Sequence, residues 1–329
     1  MKIAVLFGGY SAERDVSVAS GGQVVNALRS RGHDVVAVDT ENGPLTKQDE
    51  AEAFARGIDL HPPEPTAASH LPIVIAALAD ADFDLVFLAL HGGSGENGAV
   101  QSLLDIHGIR YTGSGRLGSS LAWDKGVSKQ LFTLAQIPTP EWRVAPIDAE
   151  AVAKNLGFPV IVKPSGQGST VGLSLVRQPE ELAAAIEHAA EFDRDVLVER
   201  FIAGRELTVG VLGGEPLAVG EIIPVQGEIF DYKAKYQVDA AHEIFPADIS
   251  EDLAKQAQAL ALAAHDALRL SCYSRADFRL DSDGGLWCLE VNTLPGMSSG
   301  SLLPQSAAAA GIPFDELCER ICLGAIDAA

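Results

Sequence analysis

Positive charge is scarce in this chain of 329 residues, where 24 lysines and arginines stand against 45 aspartates and glutamates, a net charge of −21. A surface so acidic repels phosphodiester backbones and anionic headgroups, which argues against a nucleic acid or a membrane surface as partner. A small anionic nucleotide remains possible wherever the few cations are gathered. Cysteine is scarce as well. Four scattered thiols are too few for a disulfide framework. Cys318 and Cys322 are spaced for one helix face, but no second pair completes a zinc site, so they read as reduced core thiols. No uncharged apolar run approaches the ~18 residues of a membrane span. The apolar start Met1–Phe7 runs into Gly8-Gly9 and then charges with no small-residue cleavage site, and reads as a buried strand rather than a leader. A soluble, cytoplasmic protein is expected.

What is present is ordinary for a globular chain, 47% hydrophobic and 21% charged. The length suits two or three domains. Ile3–Phe7 reads as a strand, Val16, Ala19, Val24 and Leu28 recur at helical spacing up to Gly32, and Asp34–Asp39 is the next strand. That is a βαβ unit, and it implies a parallel sheet. Residues 42–70 read as an irregular excursion. A helix over Leu71–Ala81, a strand over Leu85–Leu90, a helix over 98–107 and a short strand at 109–112 complete a first domain, 1–118. A second, 119–200, opens with a helix carrying Trp123-Asp124-Lys125 and holds strands at Val160–Lys163, Leu173–Val176 and Val196–Glu199 around a helix over Glu180–Phe192. A third, 201–329, has strands over 206–224 turning at Gly213-Gly214, a helix at 250–269, a hairpin at 273–292 and a C-terminal helix. The fold class is α/β followed by α+β.

The hairpin carries the most chemistry. Asp283-Gly284 signals a two-residue turn, which sets Asp277 opposite Glu290 and Arg275 opposite Asn292. Strand alternation then puts Ala276, Phe278, Leu280, Trp287, Leu289 and Val291 on an apolar face and the four polar residues on the other. Two carboxylates directly opposed destabilise a sheet by roughly 0.2–1 kcal/mol unless a hard dication lies between them. Splayed into water, the same acids would mark only a solvated face. A longer loop would shift this register.

Val160-Ile161-Val162-Lys163 delivers a lysine at the end of an apolar strand, and Ser165–Gly172 follows with many amides and hydroxyls suited to an anion. The lysine precedes the glycines and a strand follows, so this is not a Walker A loop. Phe7–Arg14 is a strand-to-helix turn without a dinucleotide fingerprint; Glu13 suits a helix start and equally a ligand ammonium. His91 lies at a comparable strand end. Asp231–Tyr236 is a polar-aromatic stretch, and Gly296–Leu302 has the residues of an anion-binding helix start.

Several ordered stretches together resemble the D-alanine–D-alanine ligase family of the ATP-grasp superfamily. They are Gly8–Ser17, Ala89–Gly92, Tyr111–Gly115, Asp124-Lys125, Val162–Ser165, Asp231–Tyr236 and Glu290–Met297. The resemblance spans nearly the whole chain and implies a Rossmann-like N-terminal domain with a two-part ATP-grasp body. It implies ATP and two Mg²⁺ ions (or Mn²⁺) as cofactors, D-alanine as substrate, and a homodimer. By the same resemblance Lys125 and Lys163 hold phosphates under the loop containing Ser165, Gly168 and Ser169, Glu199 lies at the adenine, and Glu206 binds the ribose. Asp277, Glu290 and Asn292 become the metal ligands. Glu13 takes the first D-alanine's ammonium beside His91, and Arg275 and the Gly296 amide stabilise the oxyanion. Lys235, Ser301 and Leu302 meet the second D-alanine, and Glu13, Ser169 and Tyr236 form a trio joining two loops. Lys233 departs from the family's pattern, which expects an acid there. Tyr236 favours an amine acceptor over D-lactate. The alternatives are a D-alanine–D-lactate or other ATP-grasp ligase, and a non-catalytic nucleotide- or amino-acid-sensing module.

Overall fold

Ile3 to Phe7 are all buried, with no alternation, so this strand has to be covered on both faces. In the computed structural model, which describes residues 1–58, 70–225 and 241–327, it is indeed central. β1 (Lys2–Phe7) pairs in parallel with β2 (Asp34–Asp39) and with β4 (Leu85–Leu88), and β3 (Gly43–Pro44) adds an antiparallel edge. The helix Arg14–Ser30 lies against this sheet. The helix Phe314–Asp327, from the far end of the chain, buries Leu317, Cys318, Ile321 and Cys322 in the same core as Ile3, Val5 and Phe87. The thiols at 318 and 322 are free and buried, which pushes both up out of the reactive range.

A second, antiparallel sheet contains β5 (Trp142–Val144), β6 (Val160–Pro164), β7 (Ser174–Val176) and β8 (Val196–Arg200), in the order β5-β8-β6-β7. A third contains β9 (Arg205–Leu212), β10 (Glu215–Pro224), β11 (Ala241–Ile244), β12 (Tyr273–Leu280) and β13 (Leu286–Asn292), in the order β11-β10-β9-β12-β13. The helix Glu251–Ala267 covers its core, and Ala122 and Phe132 from the helices before the second sheet join that core too.

Four local expectations are corrected. The stretch after residue 42 is not irregular throughout, because Lys47–Phe54 is a helix. Its start is held by reciprocal bonds between Thr46 and Asp49, and Glu50 is tied to Arg29 at 2.8 Å. Only Glu50 of its side chains is buried, so no apolar stripe announced it. The short strand at 109–112 shrinks to one bridge, Val86 to Tyr111, because the Thr112 hydroxyl takes the Leu88 N–H at 3.0 Å and ends the ladder. The helix around Trp123 is two helices, Arg116–Trp123 and Lys125–Leu134. Asp124 breaks the first and caps the second by accepting the Val127 N–H at 3.0 Å. The C-terminal helix is likewise two, Leu302–Ala309 and Phe314–Asp327, parted by Gly311-Ile312-Pro313.

Candidate active site

Asp277 faces Glu290 and Arg275 faces Asn292 across β12 and β13, as the turn arithmetic requires, but by another route. Leu280 pairs with Leu286, so the loop is Asp281–Gly285 rather than two residues. The Asp281 carboxylate holds it, accepting from the Gly285 N–H and from the Trp287 indole N–H, both at 2.7 Å. That loop shifts the pairing by one residue. Leu289, an extra residue in β13 between Cys288 opposite Phe278 and Glu290 opposite Asp277, shifts it back. Between loop and bulge two face assignments change: Leu286 and Cys288 are the core partners, whereas Trp287 is half-buried and Leu289 turns to the cleft.

Each of the two opposed acids is matched by a cation. Arg275 donates Nε and Nη2 to Asp277 at 2.9 and 2.7 Å, and Thr208 and Asn292 donate to the same carboxylate at 2.7 and 3.0 Å. Lys125 Nζ lies 3.1 Å from Glu290. Among the described residues no group of three or more His, Cys, Asp or Glu is placed to hold a metal. Two carboxylates and one amide, all hard oxygen donors, fit a cation that draws the rest of its octahedron from phosphates, as Mg²⁺ does.

Lys125, Arg275, Asp277 and Glu290 line a cavity of about 110 Å³ with Lys163, Glu206 and the loop residues Gln167–Val171. Lys125 also donates to the Gln167 carbonyl at 2.5 Å, tethering the loop. Ser165 is placed differently, its hydroxyl donating to Asp124 at 2.9 Å and accepting the Gly126 N–H at 3.2 Å. Lys163 is shared with a second, smaller cavity lined by Ile161, Glu199, Phe201, Ile202, Arg279 and Leu289. Behind Glu199 sits Lys129, wholly buried, 2.7 Å from the carboxylate. Burial pushes the Glu199 carboxyl up, but the Lys129 and Lys163 ammoniums outweigh it and hold it below the usual range. Burial also drags Lys129 down to about 8 against the pull of Glu199.

A larger cavity of about 440 Å³ adjoins the first across a shared wall of Gly168, Ser169, Arg275 and Leu302. Glu13, His91, Glu96, Asn292, Gly296 and Ser301 line it. Glu13 stands at the start of the helix Arg14–Ser30 and accepts from Ser169 Oγ at 2.5 Å, so the loop leans on the start of that helix. A Cβ at position 168 would come within 2.7 Å of Glu13 Oε2. His91 is buried, with Nε2 at 2.9 Å from Ser20 Oγ and Nδ1 at 2.9 Å from the Leu294 carbonyl. Desolvation lowers its pKa, partly opposed by Glu13. Burial and the Glu13 charge push the Glu96 carboxyl up to about 8.

Of the residues singled out from the sequence, Glu13, His91, Lys125, Lys163, Gly168, Ser169, Glu206, Arg275, Asp277, Glu290, Asn292, Gly296, Ser301 and Leu302 line this pair of cavities. Glu199 lines the small one. Lys235 and Tyr236, with Lys233, lie outside the described residues. Three site residues were not anticipated. Lys129 follows Lys125 by one helical turn, so the spacing alone could have revealed it. Arg279, which holds the Ile202 and Gly204 carbonyls at 3.0 and 2.8 Å and reaches Glu206 at 3.3 Å, continues the Arg275, Asp277 alternation. Glu96 carries no such signal.

Comparison with known proteins agrees with this geometry. The family models described as D-ala D-ala ligase N-terminus and C-terminus match residues 2–114 and 131–323. A D-alanine–D-alanine ligase of Geobacter sulfurreducens is 44% identical, covering 98% of this chain and 94% of that one. The D-alanine–D-alanine ligase of Bacillus anthracis solved with ATP superposes with a TM-score of 0.80 at 30% identity, over 100% of this chain and 98% of that one. The VanG D-Ala:D-Ser ligase of Enterococcus faecalis gives 0.80 at 29% identity, over 98% and 99%.

Proposed function

This chain belongs to the D-alanine–D-alanine ligase family, and on that premise we propose the chemistry each part of its cleft performs. The protein is an ATP-dependent ligase of ATP-grasp fold that joins two D-alanines, a step of peptidoglycan synthesis. The observation that carries the reading is the pair of adjoining cavities. One is lined by two lysines, three acids and an amide-rich loop, the other by Glu13, His91 and Ser301.

A carboxylate is a poor electrophile. An oxygen of the first D-alanine's carboxylate attacks the γ-phosphorus of ATP, and ADP leaves. The second D-alanine loses one ammonium proton and attacks the acyl carbon, and the tetrahedral adduct gives up a second N–H proton as phosphate leaves and the amide forms. Lys125 and Lys163 hold the phosphates beneath the loop Ser165–Gly172, Glu199 faces the adenine and Glu206 the ribose. Asp277, Glu290 and Asn292 would hold Mg²⁺ or Mn²⁺, whose charge offsets that of the phosphates. Glu13 holds the first ammonium, and His91 stands beside the same substrate. Arg275 and the Gly296 N–H face the oxyanion, where one lost donor typically costs about 10²–10³ in rate. Ser301, Leu302 and Lys235 meet the second D-alanine. Glu13, Ser169 and Tyr236 join the loops that exclude water from the acyl phosphate.

ADP release with a panel of D- and L-amino acids and D-lactate, with and without Mg²⁺, tests this. D-Alanine should stimulate release and L-alanine should not, and Mg²⁺ should be required. Failure of D-alanine to stimulate ADP formation removes the reading, and preference for D-lactate or D-serine moves the acceptor. We further propose the division 1–118, 119–200 and 201–329, with the helices Arg116–Trp123, Lys125–Leu134 and Phe314–Asp327 strapping one core to another. No helix among the described residues is long and apolar enough to cross a membrane, and we place the enzyme in the cytoplasm, where ATP is supplied. Exposed Ile73 and Ile106 on helices of the N-terminal domain supply a surface for a homodimer, which light scattering would count.

A further inference from the structure

Lys129 has no part in the chemistry above, yet it is among the most completely buried side chains of the protein, 0% exposed. An ammonium in such a place needs every proton paired. Its partners are Glu199 Oε2 at 2.7 Å, Thr139 Oγ1 at 2.7 Å and the Pro140 carbonyl at 3.1 Å. Thr139 is itself fixed, donating to the Cys288 carbonyl of β13 at 2.8 Å, and the Trp142 ring lies 5.4 Å from the ammonium. Lys129 therefore has a fixed position. Lys163 differs. It shares Glu199, at 3.2 Å from each carboxylate oxygen, but it also lines both the phosphate cavity and the small cavity beside it. Two lysines thus meet one buried carboxylate, one of them fixed and the other open to the cleft.

We infer that Lys129 is a positioning residue, the resident counter-ion of Glu199, and that its charge frees Lys163 to leave Glu199 for the nucleotide's phosphates. A buried carboxylate left without a cation is strongly disfavoured. With Lys129 in place, Lys163 can move away and Glu199 stays neutralised. Without it, Lys163 is the cation that remains beside Glu199 and is held back there. The geometry suits this division of labour, because Lys125 and Lys129 lie one turn apart on the helix Lys125–Leu134, one beside Glu290 and the loop, the other beside Glu199. This inference rests on the ligase reading given above.

The test compares Lys129→Met with the charge-keeping variant Lys129→Arg by steady-state ADP release. ADP binding without D-alanine is measured by calorimetry. Lys129→Met should raise the KM for ATP and weaken ADP by roughly 10–100-fold, the scale of one lost charge-assisted contact. The KM for D-alanine should stay within about twofold. Lys129→Arg should recover most of the loss, because its guanidinium still neutralises Glu199 and leaves Lys163 to the phosphates. An unchanged KM for ATP in Lys129→Met, equal losses for ATP and D-alanine, or no recovery in Lys129→Arg would overturn the inference. Should Lys129→Met not fold, Lys129→Arg decides alone: its KM for ATP must lie within about threefold of the parent chain, and a rise beyond that overturns the inference. The parent chain is assayed alongside, and if D-alanine fails to drive its ADP release, it is the ligase reading that falls, whereas the calorimetric ADP comparison still judges Lys129.

Discussion

Glu290 and Asp277 stand opposite one another but are not equivalent. Asp277 accepts from Thr208, Arg275 and Asn292, so replacing it disturbs the sheet as well as the site. Glu290 is half-buried with Lys125 at 3.1 Å, and its loss should be felt mainly in chemistry. Glu290→Gln is expected to lower turnover by roughly 10²-fold or more, with partial recovery at raised Mg²⁺ and little change in the melting temperature. Steady-state kinetics over a magnesium series, beside a thermal melt, check this. His91 makes a pH prediction. Burial first, against the pull of Glu13, holds its folded pKa below the ordinary value of about 6.5. The unfolded chain therefore binds the proton more readily, so stability rises with pH up to about 6.5 and this group adds nothing further above it. Urea midpoints at pH 5.5 and 7.5 should differ more in the parent chain than in His91→Gln.

The loop Asp281–Gly285 and the bulge at Leu289 are two one-residue shifts of opposite sign, and together they return Glu290 to the face of Asp277. Because side chains alternate, a single uncompensated shift would have turned Glu290 into the core. The link from β8 to β9 is as tightly specified. Arg279 draws in the Ile202 and Gly204 carbonyls, and Gly204 has φ +135°, with the Leu280 carbonyl oxygen 2.0 Å from where a Cβ would stand. Gly204→Ala combines a disfavoured backbone with a clash against main chain. It should cost at least about 2 kcal/mol, read as a lowered denaturation midpoint, and should loosen nucleotide binding through Phe201 and Ile202.

At the scale of the whole molecule, the chain's end completes its beginning. Leu317 and Ile321 are wholly buried in the core of the N-terminal sheet, where each contributes roughly 1.5–3 kcal/mol, and Glu319 meets Arg31 and His33 on the surface above. A fragment of residues 1–118 lacks that cover. It is expected to aggregate or to unfold without a cooperative transition, and a soluble fragment with a sharp thermal melt would contradict this. The N-terminal sheet is tied as well to the residues that follow Asn292, where His91 meets the Leu294 carbonyl at 2.9 Å.

Element order was legible in the sequence because its signals are local. The apolar runs of β1 and β4, the stripe Val16 to Leu28 and the Gly213-Gly214 turn each lie within a few residues of what they specify. So was the facing of Asp277 and Glu290, although the turn residues implied a shorter loop and no bulge. The helix Lys47–Phe54 was not legible, since Ala51, Ala53 and Phe54, bunched at its end, leave no helical period to read. Nor was the partner of Lys129, which lies far along the chain at Glu199 and meets it only because the helix Lys125–Leu134 packs behind β8. The amino-acid order by itself determined most of the strands and helices and the facing of Asp277 and Glu290, because backbone geometry repeats every two or 3.6 residues. Only the tertiary structure decided which charges meet, which helix closes which core and which lysine is free to move, because burial and distance between remote residues depend on how the whole chain folds back on itself.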